Sequence, residues 1–372
     1  MSGCSWVSSI NPFSDPPPKP ASLQSFTQQA SLNIRWRAKV SAAENGYVFY
    51  PAIVGETVIA AGYKGDVARF ENGKVLWKTG LDAKLSAGVG ADDNIVAVAT
   101  VDGELVILDT ATGHERWRKN LEKEVLAPPL VAGTMVVVRS SDNTLEAFDA
   151  DNGKSEWVYA RTVPSLALRA STGMIAEGNS IITGFPGGKL VAISKDSGAA
   201  IWEFNISSPR GVTELERMAD VAGTAVIGRH EVCAAAFQGR VACYDLSSGT
   251  AIWSRNISSS VGVNRDIRFL VITDTADKVH CLDIFSGNNV WVQDQLKNRR
   301  VSRPLLAGDY VAVGDLEGYV HLINRENGQF VARTRTDSSA IMADPMLIGY
   351  DNILVQTQDG GIYVLGVRSD AS

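Results

Sequence analysis

The amino-acid sequence predicts an all-β fold: an eight-bladed β-propeller with four antiparallel strands per blade. Three observations predict it. Tryptophan recurs on a schedule, a glycine turn stands at a fixed distance before it, and a short alternating strand precedes each turn.

The tryptophans come first. Trp36, Trp77, Trp117, Trp157, Trp202, Trp253 and Trp291 are spaced by 41, 40, 40, 45, 51 and 38 residues. Self-similarity at such a period marks a repeat architecture. Six of the seven follow a glycine four residues earlier, in NGKVLW, TGHERW, NGKSEW, SGAAIW, SGTAIW and SGNNVW. A further turn, NGQFVA, puts Ala332 in the tryptophan place. Glycine supplies the positive φ that tight hairpins require.

The strands come next. GDVARF, GELVILD, NTLEAFD, GKLVAIS, GRVACYD, DKVHCLD and GYVHLI place apolar residues at every second position. That is the pattern of a half-buried strand. Another strand pair precedes each, as in PLVAGTMVVVRSSD at 129–142. One unit is therefore four strands, which is a propeller blade. The tryptophans are packing residues at a fixed blade position.

Counting both ends of the chain gives the closure. The first tryptophan strand, NIRWRAKV at 33–40, has no partners before it. The last alternating strand, GGIYVL at 360–365, has no tryptophan strand after it. The N-terminal strand is expected to complete the last blade, which removes a free sheet edge. The propeller spans 31–368. Residues 1–30, with NPFSDPPPKPASLQSFTQQ at 11–29, read as a flexible or extended tether.

Composition narrows the function. The net charge is -6, which argues against a general nucleic-acid binder. The densest basic stretch, LKNRRVSR at 296–303, is short and reads as a solvated loop. No apolar run reaches the roughly 18 residues of a membrane-spanning helix. Cys4, Cys233, Cys243 and Cys281 are too few for a disulfide scaffold. Cys233 and Cys243 flank the turn at FQGR, where either a disulfide or two buried thiols fit. His280 and His321, like Cys243 and Cys281, share a repeat position in adjacent blades. Repeat echo explains them better than a metal set, because stacked sheets stand roughly 10 Å apart.

The two longest repeats, 45 and 51, are consecutive. Their excess falls after Trp157 and after Trp202, in connections that emerge on one face of a propeller. Neighbouring enlarged loops form a platform, and long loops carry function. In VPSLALRAS at 163–171, an extended chain points Leu166 and Leu168 the same way, with Arg169 beside them. Apolar anchors beside an arginine are hot-spot chemistry. The bland alternative is a small local core. GVTELERMADVAG at 211–223 brings Glu214, Glu216, Arg217 and Asp220. There the bland alternative is an i, i+3 surface pair of Glu214 and Arg217.

The unit D-x-x-x-G-x-x-x-W resembles the repeat of pyrroloquinoline-quinone dehydrogenases. Those enzymes carry an adjacent Cys-Cys pair and a calcium-binding carboxylate set, and this chain has no adjacent cysteines. The chain more closely resembles the BamB family, the propeller lipoproteins of the outer-membrane β-barrel assembly machinery. VPSLALRAS, GVTELERMADVAG and GDLEGYVHLINRENGQFVARTRTDSS at 314–339 carry this resemblance. So does Ser2-Gly3-Cys4, which matches the end of a lipobox. Met1 stands where leucine is usual and no apolar h-region precedes it, so the start reads as residual or as a misplaced start codon.

The resemblance implies a non-enzymatic scaffold without a cofactor. It implies acylation of Cys4 and, with Ser5 rather than aspartate following, a place on the periplasmic face of the outer membrane. It implies that Leu166, Leu168, Arg169 and Asp220 contact the POTRA domains of the central barrel-inserting subunit, BamA, and that the propeller helps its unfolded clients. Client strands would add to an exposed blade edge. A second acidic position of the family is Ala222 here. The rival reading is a periplasmic quinone or small-molecule binder that uses the central channel. It requires polar groups converging on the innermost strands, and PAIVGE and PLLAGD are bland.

Overall fold

Eight four-stranded antiparallel sheets follow one another around a ring in the computed structural model, which describes residues 18–164, 166–168 and 172–369. No helix occurs among the described residues. Seven blades run from the innermost to the outermost strand in chain order. Blade 1 holds Ala52–Val54, Thr57–Ala61, Asp66–Glu71 and Lys74–Gly80. Blade 8 closes the ring. Its three inner strands are C-terminal and its outermost strand is Ala30–Lys39, paired antiparallel with Gly361–Ser369. The closure expected from the sequence is the one observed.

The repeat signature has a local cause, clear in blade 2. In blade 2, Asp109 Oδ1 accepts the Thr112 N–H at 2.9 Å, and the Gly113 N–H donates to the Asp109 carbonyl at 2.8 Å. The aspartate thus shapes the turn that its glycine closes. Gly113 has φ +73°, and a Cβ there would stand 2.5 Å from the Trp77 ring of blade 1. Glycine is required both by the backbone and by the neighbouring indole.

The tryptophan ties consecutive blades together. Each sits at a register shift between the third and fourth strands, as at Arg69/Phe70 beside Trp77. Trp77 donates its indole N–H to Thr110 O at 2.9 Å, Trp117 to Ala150 O at 2.9 Å, and Trp253 to Ile284 O at 2.7 Å. Between blades 4 and 5 the pattern changes. Trp202 stacks on Phe204 at 4.3 Å, Phe204 stacks on Tyr244 at 4.7 Å, and Phe204 is the side chain facing Gly249.

The core is divided accordingly. Apolar layers lie between adjacent blades rather than at the ring centre. Ile59 and Val67 of blade 1 meet Val98 and Val106 of blade 2, and the same arrangement recurs round the ring. Alternation in the middle strands supplies one side chain to each neighbouring layer.

Residues 18–29 form no regular element, yet they follow blades 6 and 7 closely. Asn298 Nδ2 donates to Lys19 O at 3.1 Å, Arg299 Nη1 to Ala21 O at 2.8 Å, and Arg333 Nη1 to Gln24 O at 3.2 Å. Leu23 and Phe26 pack on the layer between these blades. Cys4 lies outside the described residues.

Cys233, Cys243, Cys281, His280 and His321 are structural. Cys233 and Cys243 face each other across the hairpin and form a disulfide, which decides between the two alternatives. Cys281 is buried and free. His280 pairs with Asp274 at 2.8 Å and His321 with Asp315 at 2.9 Å, so each repeated histidine is held by an aspartate of its own blade.

Candidate partner-binding platform

The longest inter-blade connections are residues 160–173, from blade 3 to blade 4, and 206–220, from blade 4 to blade 5. Between blades 1 and 2 the chain needs only 81–84. The two long connections share a face with the turns between second and third strands. One buried carboxylate joins them there.

Asp220 is 4% exposed. Its Oδ2 accepts the Leu168 N–H at 2.5 Å, and its Oδ1 accepts the Gly187 N–H at 3.1 Å. The Asp220 carbonyl accepts the Phe237 N–H at 2.8 Å. One residue therefore ties together the first loop, the blade 4 turn and blade 5. Arg139 lies nearby, with Nη1 donating to Thr183 Oγ1 at 3.0 Å and Nη2 to Asn143 Oδ1 at 2.6 Å. Burial pushes the Arg139 guanidinium down to about 10, and the Asp220 charge opposes that shift. Arg139, Leu168, Asp220 and Ala222 line a cavity of about 300 Å³ at this junction.

The other sequence candidates divide. Leu166 is 40% exposed, whereas Leu168 is half-buried against the cavity. Arg169 lies outside the described residues. Ala222 is buried in the innermost strand of blade 5, so a small apolar group lines the cavity there. Glu216 is turned onto its own loop: Oε2 accepts the N–H groups of Val212 at 2.9 Å and Thr213 at 3.1 Å. These donors, Thr213 first, hold its carboxyl below the ordinary range. Arg217 Nε donates to Gly211 O at 3.1 Å. Sequence reasoning missed two residues of this loop, Val212 and Leu215, which stand in solvent. It also missed Arg139, which sits in an ordinary strand pattern.

The central channel differs in character. It has a volume of about 590 Å³, and Ile53, Val89, Leu130, Met174 and Met346 line much of it. Its Arg303 and Asp344 pair with each other at 3.2 Å. Arg303 Nε also donates to Val263 O at 2.8 Å, and burial pushes the Asp344 carboxyl up. The charges here meet one another rather than converging on open space. Among the described residues, no group of three His, Cys, Asp or Glu side chains has the arrangement to hold a metal ion.

Comparison with known proteins agrees with this fold. A protein of Bordetella pertussis named outer membrane protein assembly factor BamB is 41% identical over 98% of this chain and 94% of its own. One of Burkholderia pseudomallei with the same name is 39% identical over 92% and 90%. The crystal structure of BamB from Moraxella catarrhalis superposes with a TM-score of 0.81 at 26% identity, covering 88% of this chain and 99% of that one. The quinohemoprotein alcohol dehydrogenase of Comamonas testosteroni shares the fold alone, at 13% identity, a TM-score of 0.73, and 90% and 76% coverage. The model of the outer membrane protein assembly factor BamB family matches residues 63–293. The chain belongs to that family.

Proposed function

We propose that this protein is a non-enzymatic scaffold subunit of the outer-membrane β-barrel assembly machinery. It docks on the POTRA domains of the barrel-inserting subunit and assists folding and insertion of outer-membrane proteins. Acylated Cys4 tethers it to the periplasmic face of the outer membrane. The observation that carries this reading is the pair of adjacent enlarged connections locked by Asp220. Two hydrogen-bonded loops with an exposed Leu166 suit a protein surface. Family membership supplies the machinery. The channel, whose charged residues Arg303 and Asp344 are paired with each other, favours the scaffold over the small-molecule binder.

The test is binding of the purified chain to the POTRA domains of its own organism's barrel-inserting subunit. Wild type is expected to bind, and Arg169→Glu and Leu166→Ala/Leu168→Ala to fail while remaining folded by circular dichroism. Absence of wild-type binding refutes the reading. Binding by both variants keeps the function and moves the site. Palmitate labelling of the protein expressed from its own gene, lost in Cys4→Ser, tests the tether.

A further inference from the structure

Large apolar side chains of the inter-blade connections are mostly folded inward. Leu81, Leu121, Val125, Leu296, Val301 and Ile341 are all buried. The 206–220 connection obeys this rule at its ends, where Ile206 is 0% and Met218 8% exposed. Its tip does not, because Val212 is 89% and Leu215 61% exposed.

This exposure is built rather than loose. The Glu216 carboxylate accepts the N–H groups of Val212 and Thr213, and Thr213 Oγ1 accepts the Glu216 N–H at 3.2 Å. That reciprocal pattern is a capping box. Arg217 adds a bond to Gly211 O, and its own N–H donates to Thr213 O at 3.1 Å. The Gln238 amide, oriented to donate, reaches Leu215 O at 2.8 Å and Met218 O at 3.3 Å. The charged side chains Glu216 and Arg217 thus shape the turn, and the apolar pair is left facing outward. A rigid loop that presents apolar groups has already met part of the ordering cost of binding.

We propose that Val212 and Leu215 form a second apolar contact for the partner engaged by Leu166 and Leu168, an apolar surface of the POTRA region. The inference rests on the proposed function. The link between the loops carries it: Asp220, at the end of this loop, accepts the Leu168 N–H, so the two enlarged connections are joined by a direct hydrogen bond. The partner therefore meets two apolar jaws, one from each enlarged connection. Glu216 is a positioning residue that acts through the shape of the tip.

Isothermal titration of the full chain with the purified POTRA domains tests this. Val212→Ser/Leu215→Ser is expected to weaken binding about tenfold at an unchanged melting temperature, the loss typical of hot-spot truncation. Glu216→Ala is expected to weaken it about threefold by loosening the loop. Wild-type binding with an unchanged affinity for the double variant overturns the inference and leaves the proposed function standing. Failure of wild type to bind removes both. Should the double variant melt early, hydrogen exchange on the wild type decides. Slower exchange at 211–217 on adding POTRA domains supports the second contact, and unchanged exchange overturns it.

Discussion

The indole N–H of Trp77 in blade 1 donates to the carbonyl of Thr110 in blade 2 at 2.9 Å, directly beside the glycine turn that its ring covers. Thr110 is 1% exposed, so its carbonyl has little access to water as a substitute donor. The Thr110 carbonyl also accepts from Arg69 Nη1 at 2.9 Å, so Trp77→Phe leaves it one donor and is expected to cost about 0.5–1.5 kcal/mol, the net worth of one hydrogen bond. Trp202→Phe is expected to cost less, because Trp202 makes a stack and no such bond. Gly113→Ala forces a Cβ against the Trp77 ring and is expected to cost about 1–3 kcal/mol as overpacking. Urea unfolding midpoints check all three. Equal losses at Trp77 and Trp202 would mean that ring burial, not the hydrogen bond, is what matters.

The contrast between Trp77 and Trp202 shows what a sequence can convey. Strand alternation and turn residues are local, so the blades, their number and the closing strand were readable from spacing alone. The two enlarged connections were readable because they stretch the period. The tryptophan contacts across blades follow the period, but departures from it do not. Phe204 taking over the glycine contact between blades 4 and 5 depends on which ring reaches Gly249. The seating of residues 18–29 on Arg299 and Arg333 joins positions 278 and 309 residues apart. Val212 and Leu215 read as ordinary loop residues until their exposure is known.

Blade 7 predicts a dependence on pH. His321 is fully buried between two charged groups. Arg333 Nε donates to its Nδ1 at 2.9 Å, so its Nε2–H faces Asp315 Oδ2 at 2.9 Å and the ring is neutral. Burial lowers the His321 pKa below its unfolded value, against the Asp315 charge. The unfolded chain then takes up a proton that the folded chain refuses. Stability is expected to fall as pH drops below about 6.5, by up to about 1.4 kcal/mol per pH unit for this one group. The lowered pKa of Asp315, where the His321 bond leads the lowering causes against burial, acts in the same direction at more acid pH. Urea melts from pH 7.5 to 5 should show this slope, and His321→Gln should reduce it. An unchanged slope would place the titrating group elsewhere.

The Cys233–Cys243 disulfide predicts a response to reductant. It closes a sequence separation of 10 residues, which in the chain-entropy treatment stabilises by about 2–3 kcal/mol. Dithiothreitol is expected to lower the unfolding midpoint, and a Cys233→Ala/Cys243→Ala variant to show no further shift. Burial pushes the Cys281 thiol up to about 12, so it is expected to resist alkylation until the protein unfolds. Peptide mapping after iodoacetamide treatment reads both effects.

Asp220 separates anchoring from contact. The family implies that it meets the partner, yet here its oxygens serve Leu168 and Gly187 within the chain. A carboxylate 4% exposed offers little surface to a second protein. Its role in binding is therefore expected to be indirect, through the placement of Leu166 and Leu168. Asp220→Ala removes two charge-assisted hydrogen bonds and the anion beside buried Arg139, and is expected to cost about 2–3 kcal/mol. Asp220→Asn keeps one acceptor oxygen and should cost less. The deciding measurement is hydrogen exchange at the Leu168 and Gly187 amides, taken together with POTRA affinity. Faster exchange at both amides and weaker binding identify an anchor. Weaker binding with unchanged exchange would instead make Asp220 a direct contact, and the platform would then open when its partner arrives.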